Sequence, residues 1–229
     1  MTAWASSVVG LGGEVRTLPD AETPSLPTAI DDVDADLVVV AVPFEPRWSR
    51  HATANWVRSV LQQVDRPIAI IGPLVRLSVR GGGTVVAGVG CGPGTDAALP
   101  WAARLAEHLG LDLALVGTVP NHPALGPDGL LDVIAFYLDR GVLADWKAED
   151  LERWAGELRA MTSTPIDISQ RVERGAPGPG LVRAAVDAAI VVMGRHGFRR
   201  DHVALHKPLR HVLDHAEWPV VVVPPEDGE

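Results

Sequence analysis

The chain has 229 residues, and its 29 acidic and 20 basic side chains give a formal net charge of −9. This charge argues against general nucleic-acid binding, which requires a basic surface. A single cysteine, Cys91, excludes an intramolecular disulfide and fits a reducing compartment. The N-terminus carries no basic region before its short apolar stretch, and no run approaches the roughly 18 apolar residues of a membrane helix. We therefore expect a cytoplasmic protein that binds neither nucleic acid nor membrane.

Seven short aliphatic runs predict seven strands. They are rich in valine and isoleucine and hardly alternate with polar residues, which is typical of strands buried on both faces of a parallel sheet. In chain order they are residues 37–42, 67–72, 84–90, 111–119, 166–172, 189–194 and 219–224. Helical patterns lie between them at 95–110, 149–161, 180–188 and 208–216. This alternation predicts a doubly wound α/β fold with right-handed crossovers.

The chain also repeats itself. The stretch "DADLVVVAV" (34–42) matches "DAAIVVMGR" (187–195), and "VRSVLQQVDRPIAIIGP" (57–73) matches "LRHVLDHAEWPVVVVPP" (209–225). With one gap the two copies lie about 152 residues apart, which indicates duplication. Too few residues precede the first copy for a complete domain, so it should lack the opening strand, helix and strand. We predict a half-domain over 1–80 and a complete domain over 81–229 with an insertion at 121–147.

A candidate binding site lies where the sixth predicted strand ends. Gly194 and Gly197 form a Gly-x-x-Gly turn there, and backbone N–H groups of such turns often surround a phosphate. Basic and histidine side chains cluster in the same segment, among them Arg195, His196, Arg199 and Lys207. This patch is either a substitute phosphate clamp or an ordinary solvated surface. We find no Ser/His/Asp order, nucleophile elbow or paired-carboxylate motif, and therefore expect no enzyme.

Three stretches resemble the universal stress protein family. They are "VVAGVGCGPGTDAALPWAARLA", "ISQRVERGAPGPGLVRAAVDAAIVVMGRHG" and "LRHVLDHAEWPVVVVP". Residues 84–224 resemble a complete domain of the family, and residues 14–73 resemble the second half of another. The resemblance implies a five-stranded parallel sheet in the order 3-2-1-4-5, whose last strand often pairs with that of another copy. We therefore expect antiparallel pairing of the two last strands, which extends the sheet to roughly seven strands.

Many members of this family bind ATP through Gly, two residues, Gly, nine residues, and then Gly-Ser or Gly-Thr. Here Gly194 and Gly197 match the first pair, but Lys207 and Pro208 stand at the second. An aspartate that meets adenine ends the family's first strand, and Gly90 stands at that position. The resemblance thus implies a degenerate ATP site. The residual nucleotide or anion site would consist of Gly90, Gly194, Arg195, His196, Gly197, Arg199 and Lys207.

Two histidines, His211 and His215, are four positions apart, a spacing that zinc ligands on a helix can have. The stretch "HVLDHA" resembles an ordinary part of the family's last helix, so we predict no metal site. The favoured interpretation is a non-enzymatic stress-response protein that acts through contacts with an unknown protein partner and uses no cofactor. ATP or AMP binding is disfavoured. The alternative is a nucleotide- or phosphate-responsive binding module. We leave open whether the protein forms a homodimer. The 121–147 insertion would lie either over the cleft or at a subunit contact.

Overall fold

The structure is a computed structural model, which describes residues 35–41, 50–72, 74–75, 83–90, 93–119, 143–195 and 207–225. Within these ranges strands and helices alternate along the chain. The strands are β1 (Val38–Ala41), β2 (Ile68–Ile71), β3 (Thr84–Val89), β4 (Asp112–Val119), β5 (Ile168–Arg174), β6 (Ala188–Gly194) and β7 (Val220–Val223). The helices are α1 (Arg50–Gln63), α2 (Pro93–Leu109), α3 (Leu143–Met161), α4 (Pro177–Ala184) and α5 (Lys207–His215).

The seven strands form one sheet in the order β1-β2-β7-β6-β3-β4-β5. Five of them, from β5 through β4, β3 and β6 to β7, pair in parallel and give the predicted order 3-2-1-4-5. The predicted antiparallel pairing of the two last strands is also confirmed, because β2 runs antiparallel to β7. Helices cover both faces of most of this sheet, so its strands are buried on both sides. This explains why the strands are continuous aliphatic runs in the sequence.

The junction between β2 and β7 has the pattern of a two-fold axis. Ile68 is opposite Val222, Ala69 is opposite Val221, and Ile70 is opposite Val220. In the sequence repeat these same residues correspond as 68 with 220, 69 with 221, and 70 with 222. Each copy thus presents the same surface to the other, as in an isologous contact between identical subunits. This register supports the predicted duplication.

The two strand–helix–strand units also agree in their internal register. Val38 pairs with Ile68 in the first unit, and the corresponding residues Val191 and Val220 pair in the second. The N–H of Val38 donates to the carbonyl of Pro67 at 2.9 Å, and the N–H of Val191 donates to that of Pro219 at 3.0 Å. The division of the chain at residue 80 stays a prediction.

Two apolar clusters cover the two faces of the sheet. One face carries buried side chains of α1, α4 and α5, including Leu61, Leu181 and Val212. The other carries buried side chains of α2 and α3, including Leu99 and Leu151. Alternate residues of the central strands belong to opposite clusters, since successive side chains point to opposite faces. Among the described helices, none combines the length and the apolar character needed to cross a membrane.

Two helices differ from the sequence expectation. We expected a helix at 180–188, but α4 begins at Pro177, where the fixed φ of proline suits the first helical turn, and residues 185–187 form a turn. We expected a helix at 149–161, but α3 begins at Leu143, with Asp145 in its first turn to complement the helix dipole. Residues 143–147 of the predicted insertion therefore belong to α3, and residues 121–142 lie outside the described ranges.

The pairing of β2 with β7 predicts the behaviour of a shortened chain. Deletion of residues 1–73 removes β2 and leaves the backbone groups of one edge of β7 without their partner strand. An exposed aliphatic edge is a template for pairing with another chain, so the shortened protein should self-associate or aggregate. Sedimentation velocity of the shortened and full-length chains measures this. A monomeric 74–229 fragment with the thermal stability of the full chain would contradict the prediction.

Candidate functional site

The candidate site lies at the carboxyl ends of β3 and β6. The helices that follow these neighbouring parallel strands, α2 and α5, pack on opposite faces of the sheet, and ligands of open α/β sheets bind at such a switch point. Gly90 follows β3, Gly194 ends β6, and Lys207 begins α5. The structure thus describes Gly90, Gly194, Arg195 and Lys207 of the predicted site. The other predicted members, His196, Gly197 and Arg199, lie outside the described residues, as does Cys91.

The backbone at Gly90 is tied to the start of α2. Its N–H donates to the hydroxyl oxygen of Thr95 at 3.2 Å, and Thr95 is only 2% exposed. Thr95 was recognised in the sequence only as part of a helix start, although the helix begins two residues earlier, at Pro93. Its hydroxyl satisfies a backbone donor in the loop after β3. This N–H is therefore already used within the protein.

Helix α5 begins with a lysine followed by a proline. Lys207 is exposed, and Pro208 occupies the second position of the helix. The N–H groups of a helix's first turn lack intrahelical partners and can bind an anion. Proline has no N–H, so one of these donors is absent from α5. The exposed charge of Lys207 and the other N–H groups of the first turn could still attract an anion.

Arg195 connects the two copies of the repeat. Its guanidinium donates to the carbonyl oxygens of Leu61 at 2.6 Å and Val64 at 2.9 Å, and to the Asp65 carboxylate at 2.9 Å. The side chain is 10% exposed. Carbonyl groups at the end of a helix lack intrahelical partners and form the negative end of its dipole, so they favour a cation. Arg195 therefore caps the C-terminal end of α1.

These contacts of Arg195 were not predicted, and its role in binding a phosphate stays a prediction. We predicted that its charge would help to clamp a phosphate, whereas the described hydrogen bonds hold the guanidinium against the N-terminal copy. Sequence reasoning missed this contact because Leu61 and Arg195 are 134 positions apart, and no local motif links them. The repeat could have predicted that the two segments meet. When the two last strands pair in opposite directions, the C-terminal end of α1 lies beside the C-terminal end of β6.

The comparisons with known proteins agree with this fold. The sequence model of the universal stress protein family matches residues 83–224, more than half of the chain. The chain belongs to this family. Membership fits a role in the stress response. No curated protein was found to match the sequence.

Solved structures of low sequence identity share the fold. A protein of unknown function from Pseudomonas aeruginosa PAO1 has a TM-score of 0.60 and 16% identity, with 99% of this chain and 77% of that one covered. A universal stress protein from Archaeoglobus fulgidus DSM 4304 has a TM-score of 0.57 and 16% identity, covering 94% and 70%. A universal stress protein from Lactobacillus plantarum has a TM-score of 0.50 and 21% identity, covering 64% and 99%. The first two similarities include the N-terminal copy.

In this universal stress protein, the two histidines of α5 stack on each other. The ring centroids of His211 and His215 are 4.2 Å apart, and the Nδ1–H of His215 donates to the carbonyl of His211 at 2.8 Å. A Cβ placed on Gly178 would lie 2.7 Å from the Cβ of His211, so this glycine of α4 permits the close approach of α5. No group of three or more His, Cys, Asp or Glu side chains is placed to hold a metal ion within the described ranges.

The surroundings of His211 disfavour its protonated form. Burial, followed by the charge of His215, lowers the pKa of His211 below its ordinary value of 6.5, and Asp214 opposes this effect. The cause is mainly desolvation, since α4 packs against the ring.

We expect a measurable pH dependence from this histidine. Because the folded state lowers the pKa of His211, the unfolded chain takes up this proton at a higher pH than the folded protein. The free energy of unfolding should therefore fall as the pH drops through the ordinary histidine value of about 6.5. His211→Gln should flatten this part of the profile in urea titrations, with His108→Gln, at an exposed site on α2, as the control. An unchanged profile for His211→Gln would contradict the assignment.

We expect Arg195→Ala to lower the free energy of unfolding by about 2–3 kcal/mol, because charged hydrogen bonds to buried acceptors are lost. Asp65→Asn removes only an exposed partner, so it should cost less than about 1 kcal/mol. Arg153→Ala is the control, because this arginine makes two ion pairs but is 54% exposed and bonds to no buried carbonyl group in the described contacts. Chemical denaturation measures all three. If Arg195→Ala costs no more than Arg153→Ala, the capping role is wrong.

Proposed function

We propose that this protein is a non-enzymatic, cytoplasmic stress-response protein that acts through contacts with another protein, and that its ATP site has degenerated. Membership of the universal stress protein family supports the stress-response part of the proposal. The start of α5 supports the degenerate site. There Lys207 and Pro208 stand where the ATP-binding members carry Gly-Ser or Gly-Thr, and the helix begins at this pair.

The chemistry of this helix start disfavours a triphosphate. In a competent site the phosphates would accept hydrogen bonds from backbone N–H groups and from the serine or threonine hydroxyl. Pro208 supplies neither donor, and Lys207 places a side chain where glycine permits close approach. Gly90 supplies no carboxylate for adenine, and its N–H already donates to Thr95.

The electrostatics near β6 support the same conclusion. Arg195 directly follows Gly194, where its charge would be nearest to a bound phosphate. Its guanidinium instead bonds to two carbonyl groups and to the Asp65 carboxylate. These acceptors offset the positive charge and place a carboxylate close to the end of β6. The compensation that a basic patch could give a phosphate is therefore reduced.

An exposed aromatic side chain supports the proposed protein contact. Trp146, near the start of α3, is 59% exposed, although tryptophan is usually largely buried. Tryptophan is enriched among the residues that dominate protein interfaces. This residue belongs to the segment 121–147, which the sequence analysis assigns to a subunit contact or to a cover over the cleft.

One observation favours the alternative, a nucleotide- or phosphate-responsive module. Gly194 is buried at the end of β6, at the switch point, and Lys207 is exposed at the start of the following helix. This pair retains part of an anion site. The two proposals differ in whether ATP or AMP binds.

Calorimetric titration of the full-length protein with ATP tests the proposal. Loss of two or three charged hydrogen bonds should weaken binding by about 3–5 kcal/mol, on the order of a hundredfold to several thousandfold. The combined variant Gly90→Asp, Lys207→Gly, Pro208→Ser restores the missing groups and should bind ATP more tightly than the unmodified chain. A dissociation constant below about 10 µM for the unmodified protein would favour the alternative.

A further inference from the structure

The outer edge of β1 is open in the part of the chain that the structure describes. β1 pairs only with β2 there, whereas the corresponding strand of the complete copy, β6, pairs on both sides, with β7 and β3. The repeat makes the two strands directly comparable, since Val39 corresponds to Val192. Val39 is 41% exposed, but Val192 is fully buried in the cluster that contains α2. Among the described residues, the outer edge of β1 therefore has no partner strand, and Val39 has no covering layer like the one that buries Val192.

The two ends of the sheet are protected differently. At the other end, β5 carries alternating charged residues, and Glu173 pairs with Arg171 at 2.8 Å and with Arg183 at 3.2 Å. Charged side chains on an edge strand discourage pairing with further strands. β1 consists of three valines and an alanine, and it has no charged side chain. This composition is that of an interior strand.

The direction of the β1 backbone groups identifies the edge that needs a partner. The N–H of Val38 donates toward β2, to Pro67. Successive residues of a strand alternate, so the N–H and carbonyl of Val39 point away from β2. In β6 the corresponding residue, Val192, is opposite Ala87 of β3. A strand that replaced β3 would therefore satisfy the backbone of Val39.

We propose that residues 7–11 of this chain pair in parallel with the outer edge of β1, in the place that β3 takes beside β6. The stretch "SVVGLGG" (7–13) resembles "TVVAGVG" (84–90), which contains β3. This alignment places Val9 at the position of Val86 and therefore opposite Val38, since Val86 is opposite Val191. The N-terminal copy would then retain an opening strand, contrary to the expectation from the repeat that this strand is missing.

Chain length and tethering favour this partner over a second copy of the protein. Twenty-six residues, 12–37, separate the segment from β1, and a parallel crossover needs only a dozen or more. A tethered segment has an effective concentration of about millimolar at its own β1, well above micromolar concentrations of a second chain. Val8, Val9 and Leu11 supply the aliphatic side chains that an interior strand requires.

Amide hydrogen exchange, measured by nuclear magnetic resonance, tests the proposal on the full-length chain. The amide of Val39 should exchange slowly in the monomer and should lose its protection when residues 1–12 are deleted. The amides of Val40, which point toward β2, and of Val192 are internal controls that should remain protected. Should the deletion unfold the N-terminal copy, Val9→Asp provides a milder change, matched by Val186→Asp at a site that is 75% exposed. Val9→Asp should expose the amide of Val39, whereas Val186→Asp should not.

Three results would overturn the proposal. The first is rapid exchange at Val39 in the full-length monomer, which would show an open edge. The second is protection that persists after residues 1–12 are removed, which would assign the edge to another segment. The third is protection that appears only at concentrations where the protein dimerises, which would assign it to a second copy. None of these results depends on whether the protein binds a nucleotide.

Discussion

The antiparallel pairing of β2 with β7 is the contact on which the rest of this structure depends. Each copy of the repeat ends in an aliphatic strand that would otherwise leave an open edge, and a two-stranded unit such as β1–β2 is marginal in water by itself. Joining the two last strands closes both edges with one set of backbone hydrogen bonds. It also continues the apolar cluster of α1 into that of α4 and α5 on the same face of the sheet.

The direction of this pairing determines what lies near the candidate site. Because β2 runs opposite to β7, it begins where β7 ends, and the last turn of α1 arrives beside the carboxyl ends of β6 and β7. Arg195 meets the carbonyl groups of α1 there. The strand register at the junction is two-fold symmetric, but the side chains beside it are not. The residue that corresponds to Arg195 in the first copy is Val42. Val42 cannot donate the hydrogen bonds by which Arg195 caps α1.

The fold could be predicted from the sequence because its strongest signals are local. Each strand is a valine- and isoleucine-rich run, and the repeat shows which two strands end equivalent units. The starts of α3 and α4 were misplaced because apolar periodicity does not show where a helix begins, whereas Pro177 at the start of α4 and Asp145 in the first turn of α3 favour the observed starts. The contacts of Arg195 could not be predicted from its neighbours, because they depend on how two distant strands pair. The hydroxyl of Thr95 was overlooked for a related reason, since its role depends on the fold bringing the N–H of Gly90 within hydrogen-bonding distance.

The junction also stabilises the chain beside the candidate site without a bound ligand. A bound ligand stabilises the folded state in proportion to the logarithm of its concentration over its dissociation constant. In the ATP-binding members, as the family resemblance implies, the nucleotide would contribute such stabilisation where β6 ends. Here the hydrogen bonds from Arg195 to Leu61, Val64 and Asp65 anchor the residue that follows β6 without any ligand. These bonds depend on the N-terminal unit that contains α1, so this unit contributes to the stability of the chain beside the candidate site. A unit that only covered the edge of β7 would need β2 alone, but this one also fixes Arg195, the residue that follows β6.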